Sequence, residues 1–183
     1  MTTRSISDYL IAPDATRAER MLGYGAAAAG AAGAAALAVH AQFSALAIGV
    51  IAVIAFDLFG GSVVNATASA KRHFHRPGRT ARHHLGFVAV HVQPFLLALV
   101  VPEFPWYSAA FVYLLALGGA IAVLAAPAAV QRPLGFAWVT LALLLPLDIP
   151  AVLAWLTPVL LIKLLLAHLQ PDGMRGTVLP KQQ

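Results

Sequence analysis

Three polar side chains interrupt two of the most apolar stretches of this sequence. Asp57 and Asn65 lie between runs of Ala, Val, Leu and Ile, and His91 lies in the next apolar stretch. An ionisable side chain is costly to place in such a stretch, and it usually marks a functional site. The chemistry available here is acid–base chemistry, in which a carboxylate orients an imidazole and the pair accepts and returns a proton.

The spacing of these residues indicates how helices would position them. Asp57, Gly61 and Asn65 recur every fourth residue, which places them along one face of a helix. If the next stretch returns antiparallel, His91 lies at a depth between Asp57 and Asn65. We therefore predict an acid–base pair of Asp57 and His91, with Asn65 as an orienting donor and Gly61 permitting close approach. The alternative is a structural role as hydrogen-bonding links between helices.

A strongly basic segment follows Asn65. Its Lys, Arg and His residues are Lys71, Arg72, His73, His75, Arg76, Arg79 and Arg82. The simplest role for such a segment is to set topology and to attract anionic lipid head groups. The other role is a binding site for a phosphate or carboxylate head group. The residues expected at that site are Lys71, Arg72, Arg76 and His84.

Composition identifies lipid as the solvent of this chain. The 183 residues are 60% hydrophobic and 10% charged, and the mean hydropathy is +0.80. A soluble domain usually carries about 25% charged residues. The net charge of +5 does not indicate nucleic-acid binding, because the basic residues lie in short segments between apolar runs, as topology determinants do. With no Cys and no carboxylate beside the histidines, neither a metal nor another cofactor is expected.

Six apolar stretches predict an all-α, polytopic transmembrane helix bundle. The expected spans are about 21–40, 43–69, 83–101, 106–126, 133–147 and 150–169. Together they form one transmembrane domain, 21–169, between a polar N-terminal segment, 1–20, and a polar tail, 170–183. The first span is expected to pack inside the bundle or to be a cleaved signal peptide. The fifth has about 15 residues and rises roughly 22 Å, less than the ~30 Å hydrocarbon core, so it crosses with little tilt, starts in the preceding loop or is re-entrant.

The basic residues predict the orientation of the bundle. If both ends lie in the cytoplasm, every Lys and Arg except Lys163 falls in an inner segment, and Lys163 lies close enough to the inner end of its span to reach the interface. The outer connections carry Glu103 and Asp148 instead. This N-in, C-in arrangement follows the positive-inside rule. We expect a multi-pass protein of a cell membrane, and the Ala-rich, short-loop composition favours a bacterial inner membrane.

Three functions fit these features. The first is a membrane-embedded acid–base enzyme that acts on a lipid or an apolar small molecule, and the polar pocket near a basic segment favours it. The second is a small proton-coupled carrier or exporter, expected to work as a homodimer, in which Asp57 binds the proton. Helix breaks at Pro94, Pro146–Pro150 and Pro158 favour this carrier, whereas the lack of a visible internal repeat counts against it. The third is an assembly subunit without chemistry.

Overall fold

The structure is built from helices joined by short connections. The computed structural model describes residues 12–171, and no strand occurs in that range. The helices are α1 (Arg17–His40), α2 (Ala45–Ala66), α3 (Ala68–Phe74), α4 (Ala81–Ala89), α5 (Gln93–Val100), α6 (Trp106–Ala125) and α7 (Ala128–Ala142). A 3-10 turn at Ala151–Leu153 leads into α8 (Leu156–Leu161), which continues as a π-helix over Ile162–His168. Residues 1–11 and 172–183 carry Arg4, Arg175 and Lys181 of the expected inner segments and lie outside the described range.

Five stretches are long and apolar enough to cross a membrane. They are Arg17–His40, Ala45–Ala66, Ala81–Val100, Trp106–Ala125 and Ala151–His168. The third of these combines α4 and α5, and the last combines the 3-10 turn, α8 and the π-helix. The composition of these helices supports a membrane protein.

Helix α7 differs from the expected fifth span. It has 15 residues and lies at Ala128–Ala142, five residues earlier than the expected range 133–147. It begins within the connection that follows α6, directly after Pro127. It ends at Ala142 because Pro146, four residues later, has no N–H to donate to the Ala142 carbonyl, and its ring would clash with it.

Two expected spans are interrupted. Thr67 has extended backbone angles (φ −71°, ψ 151°), so it ends α2 and caps α3, and its Oγ1 accepts a hydrogen bond from the Ala70 N–H at 3.2 Å. The expected span 43–69 is therefore α2 and the first turn of α3. Pro94 cannot donate to the carbonyl of Val90 and would clash with it, and the chain leaves the helix between α4 and α5. His91 consequently lies at a helix break.

Glycines allow the close approach of α1 and α2. A Cβ atom on Gly60 would lie 2.7 Å from the Cβ of Ala27, and one on Gly30 would lie 2.4 Å from Cγ of Phe59. Small residues of this kind let helix backbones pack closely in lipid. Close packing against α1 therefore fixes the position of α2, which carries Asp57.

Both ends of the described chain lie at the same end of the bundle. Arg72 of α3 forms an ion pair with Asp14, which precedes α1, with 2.7 Å between Nη2 and Oδ2. Its neighbour Lys71 donates a hydrogen bond to the carbonyl of Gln170, beyond the last helix. The basic segment after α2 therefore joins the start of the described chain to its end.

Candidate functional site

An ion pair between Asp57 of α2 and Lys163 of the π-helix organises the middle of the bundle. Lys163 Nζ lies 2.7 Å from Oδ2 of Asp57 and 3.2 Å from its main-chain oxygen. The Lys163 side chain is 3% exposed and that of Asp57 is 50% exposed. Gln93, at the start of α5, donates a further hydrogen bond from Nε2 to Oδ2 at 3.0 Å. Three separate chain segments thus meet at one carboxylate oxygen.

Gly61 provides the space that Lys163 occupies. A Cβ atom at position 61 would lie 2.5 Å from Cε and 2.8 Å from Nζ of Lys163. Gly61 follows Asp57 by one helical turn on the same face of α2. The group that approaches this glycine is therefore the Lys163 side chain, which extends along α2 to reach the carboxylate.

His91 belongs to the same region but does not form the expected hydrogen-bonded pair with Asp57. Its Nδ1 lies 2.6 Å from the carbonyl oxygen of Phe87, four residues earlier, and its side chain is buried. The imidazole interacts electrostatically with both Lys163 and Asp57. The carboxylate is therefore held by Lys163 and Gln93, with His91 as a neighbour.

Asn65 lies two turns beyond Asp57 on α2 and is buried. Its Nδ2 has no hydrogen-bond partner among residues 12–171, and the same holds for Oγ1 of Thr157 in α8. A buried polar group left in this state costs about 1–3 kcal/mol. Such atoms are uncommon in folded proteins, so Asn65 remains a candidate for hydrogen bonding to a molecule bound inside the bundle.

An apolar groove of about 220 Å³ opens between α1 and α2 beside the carboxylate. It is lined by Gly23, Tyr24, Ala27, Val53, Phe56, Asp57, Gly60, Gly61 and Val64. Asp57 is the one charged residue in this set. Within residues 12–171, both hydrogen bonds to its carboxylate are made to Oδ2. The groove therefore presents one carboxylate on an apolar surface, and its volume is below the roughly 300–1,000 Å³ of pockets that enclose drug-sized ligands.

Two of the predicted head-group residues contact protein groups at the exposed end of the bundle. Arg72 donates from Nε and Nη2 to Oδ2 of Asp14, at 3.0 and 2.7 Å. The guanidinium holds the pKa of the Asp14 carboxyl below its usual value. Arg76 donates from Nη1 to the carbonyl of His73 at 2.7 Å. Both contacts help to hold the N-terminal region and the loop after α3.

Lys71, a third predicted head-group residue, lies at the C-terminal end of the π-helix. It is buried and donates from Nζ to the carbonyls of Ala167 and Gln170. His75 Nε2 lies 2.8 Å from the carbonyl oxygen of His168. The last carbonyls of a helix lack partners within the helix and carry partial negative charge, so a cation there is favourable. Lys71 therefore acts as a C-terminal cap of the last helix.

His84, the fourth predicted head-group residue, belongs to a buried cluster of aromatic side chains. Its Nδ1 lies 3.1 Å from Nε2 of His168. The rings of His75 and His84 stack with centroids 4.6 Å apart, and those of Phe87 and His168 stack at 3.9 Å. In the described part of the chain, no three His, Cys, Asp or Glu side chains are grouped so that they could hold a metal ion.

The sequence reasoning missed Lys163 as the partner of Asp57. Its distance from the end of the last span predicts that it reaches the inner interface, whereas the structure buries it against Asp57. A usable signal existed, because a single Lys among leucines in one span and a single Asp in another span are expected to pair. Gln93 and His168 had no comparable signal, since their roles depend on how helices pack.

No protein-family model, curated protein or solved structure matches this chain.

Proposed function

We propose that this protein is a multi-pass membrane carrier that exchanges protons for an apolar or amphiphilic small molecule, with Asp57 and Lys163 as the coupling site. The observation that carries this proposal is the 2.7 Å ion pair between Asp57 and the buried ammonium of Lys163. Ionisable residues inside membrane spans are rare, pair with one another and mark ion or substrate pathways. The groove beside Asp57 is the proposed site for the small molecule.

The geometry suggests how a proton would act on the pair. A proton on the Asp57 carboxylate removes the negative charge that faces Lys163. The ammonium then has only neutral acceptors, the main-chain oxygen of Asp57 at 3.2 Å and the protonated carboxyl group. An unpaired charge in such surroundings costs several kcal/mol, and a displacement of the π-helix from α2 relieves that cost. Protonation is thereby coupled to movement of a helix next to the groove.

We propose six membrane crossings with both ends on the inner side of a cell membrane, as in a bacterial inner membrane. The support is the ion pair of Asp14 with Arg72 and the contact of Lys71 with Gln170, which bring both described ends together beside the basic segment. Helix α7 would be the short fifth crossing. Its exposed apolar side chains, which suit contact with lipid, include Phe136 and Leu141.

Single cysteines test this topology directly, because the natural chain has none. We expect Glu103→Cys and Leu147→Cys to react with a membrane-impermeant maleimide added outside intact cells. Gly78→Cys and Pro127→Cys should react only after permeabilisation. If Leu147→Cys behaves like the inner pair, α7 does not cross and the six-span arrangement is wrong.

The carrier function is tested in liposomes that contain the purified protein and an internal pH indicator. Tetraphenylphosphonium, a lipophilic cation suited to an apolar groove with a carboxylate, serves as the probe. We expect its addition to drive proton release in wild-type liposomes, and Asp57→Asn to abolish that release. Glu103→Gln, which removes a carboxylate outside the site, is the matched control and should behave as wild type. Equal rates for Asp57→Asn and wild type would refute the proposal.

A membrane-embedded acid–base enzyme is the second candidate. The groove favours it, because a lipid-soluble substrate in the groove would contact Asp57, and His91 interacts electrostatically with that carboxylate. It ranks second because Asp57 is hydrogen-bonded to Lys163 and Gln93, whereas His91 is bonded to the Phe87 carbonyl. Incubation of the reconstituted protein with a total phospholipid extract, followed by mass spectrometry, should then show a product that requires both Asp57 and His91.

A further inference from the structure

His84 and His168 form a buried imidazole pair between the basic end of the bundle and the Asp57–Lys163 site. The Nδ1 atom of His84 lies 3.1 Å from Nε2 of His168, and the two residues are 8% and 2% exposed. The other ring nitrogen of His168, Nδ1, is buried and has no hydrogen-bond partner among residues 12–171. The pair therefore has one internal hydrogen bond. Each ring also has a far nitrogen that takes no part in it, Nε2 of His84 and Nδ1 of His168.

Such a pair has two equivalent protonation patterns. A neutral imidazole carries one N–H, so the donor ring presents a lone pair on its far nitrogen. The acceptor ring presents an N–H on its far nitrogen. Exchange of the donor and acceptor roles moves that N–H from one end of the pair to the other. The arrangement is therefore suited to passing a proton and does not require either ring to move far.

The pair borders a cavity at the basic end of the bundle. The cavity has a volume of about 370 Å³. It is lined by Phe74, Arg79, His83, His84, Gly86, Phe87, Val90 and His168. A cavity of this size with polar lining groups is large enough for water molecules. Water in it would deliver a proton to the His84 side of the pair.

The π-helix relates the pair to the coupling site. Lys163 and His168 are the second and last residues of that helix, five positions apart. The turn of a π-helix is wider than that of an α-helix, so residues five apart come closer to one side. π-helical segments are rare and often occur at functional sites. Here one π-helix carries both Lys163, the partner of Asp57, and His168, the partner of His84.

We propose that His84 and His168 pass protons between the cavity and the Asp57–Lys163 site, an inference that rests on the proposed carrier function. Water in the cavity gives a proton to Nε2 of His84. The proton on Nδ1 of His84 moves to Nε2 of His168. The proton on Nδ1 of His168, a buried atom, leaves for Asp57 when a water molecule enters beside it. One proton enters and one leaves, and both rings then carry their N–H on Nε2. The original tautomers return when water takes the proton from Nε2 of each ring and gives one to its Nδ1.

Other charged and titratable groups act electrostatically on the pair. They are Lys71 in α3, His75 and Arg79 in the connection after α3, His83 in α4 and His91 after α4. The positive charges of Lys71 and Arg79 oppose a lasting imidazolium at the pair. We therefore expect the pair to transmit a proton without storing it. Phe87 stacks on His168 and lies 4.7 Å, between ring centroids, from His91.

Imidazole rescue distinguishes proton transfer from a packing role. In the liposome assay we expect His84→Ala and His168→Ala each to slow proton release at least ten-fold. Imidazole added to the buffer should restore much of that rate, because it has both an N–H and a lone pair. N-methylimidazole fills the same space but has no N–H, so it should restore little. The matched control His40→Ala removes an exposed histidine at the C-terminal end of α1, outside the proposed relay. It should keep the wild-type rate of proton release, and imidazole should not change that rate.

The outcomes separate this inference from the carrier function. If Asp57→Asn abolishes proton release while the two His variants keep the wild-type rate, the relay is wrong and the carrier stands. Equal rescue by both imidazoles also refutes the relay. If wild-type liposomes release no protons, the carrier fails, and ¹⁵N NMR of the wild-type protein then decides the relay. Tautomer exchange at both His84 and His168 is expected, and fixed tautomers would overturn it.

Discussion

The ion pair of Asp57 and Lys163 can be dissected with a double-mutant cycle. The cycle compares wild type with Asp57→Asn, Lys163→Met and the double variant. Asn keeps the shape of the carboxylate without its charge, and Met keeps the unbranched stem of Lys. Each single variant therefore removes one charge and leaves the other in place. The double variant removes both.

The structure gives different costs for the two single variants. Asp57→Asn leaves a buried ammonium without a counter-charge, with only neutral acceptors such as the main-chain oxygen at 3.2 Å and the Asn amide oxygen, and stranding one member of a buried pair costs about 3–5 kcal/mol. Lys163→Met leaves a half-exposed carboxylate that keeps its 3.0 Å hydrogen bond from Gln93, so we expect a smaller cost of about 1–3 kcal/mol. The double variant strands no charge and should lie near Lys163→Met. The sum of the single effects should therefore exceed the double effect by about 3–5 kcal/mol, the cost of Asp57→Asn alone.

The free energy of unfolding is measured by titration with sodium dodecyl sulfate in mixed micelles, with helix content followed by circular dichroism. Glu103→Gln provides the baseline for removal of a carboxylate that the structure leaves exposed. Single effects that add to the double effect within about 0.5 kcal/mol would show that the two side chains are energetically independent. That result would refute the reasoning on which the coupling site rests.

Two further predictions concern the same framework. Gly61→Ala should weaken the Asp57–Lys163 pair and lower the unfolding free energy by about 1–3 kcal/mol, because its Cβ would lie 2.5 Å from Cε of Lys163. Gly33→Ala, whose Cβ would meet nothing within 4 Å, is the control, and a loss of stability there would contradict the steric explanation. Asp14→Asn should cost at most about 0.5 kcal/mol at pH 7, since its ion pair with Arg72 is exposed and screened. Because Arg72 lowers the pKa of Asp14, this contribution is present above about pH 4 and is lost as the pH falls through the lowered pKa, so the difference from wild type should shrink in acid.

The helical outline was predictable because lipid leaves the backbone few choices. Apolar stretches in a bilayer must satisfy their own hydrogen bonds, so long runs of Ala, Val and Leu indicate helices. The breaks were less predictable. Pro94 predicts that the Val90 carbonyl loses its partner, but the full interruption around His91 is a response of the chain to that loss. Thr67 has no such covalent constraint, and its cap forms because its Oγ1 accepts from Ala70.

Helical periodicity predicted where Asp57 and Gly61 lie, but not that Lys163 and Gln93 contact the carboxylate. The four-residue spacing of Asp57 and Gly61 correctly placed both on one face of α2, because helical periodicity is a local property. Which side chain meets that face is a property of packing. The π-helix determines that Lys163 meets this face, since the position of Lys163 depends on how the chain winds after Pro158. Sequence periodicity assumes the α-helical repeat and cannot anticipate that change.

The π-helix is fixed at two points that differ in their response to protons. Near its start, Lys163 is bound to the Asp57 carboxylate, an attachment that a proton can cancel. At its end, Lys71 donates to two main-chain carbonyls, which do not titrate. Protonation of Asp57 would therefore release the first attachment and leave the second intact. Because α8 continues into the π-helix, the two would pivot together about the end that Lys71 holds, so Lys163, beside the groove, would move more than the His84–His168 pair. This difference would let the proposed proton path stay assembled while the coupling site changes state.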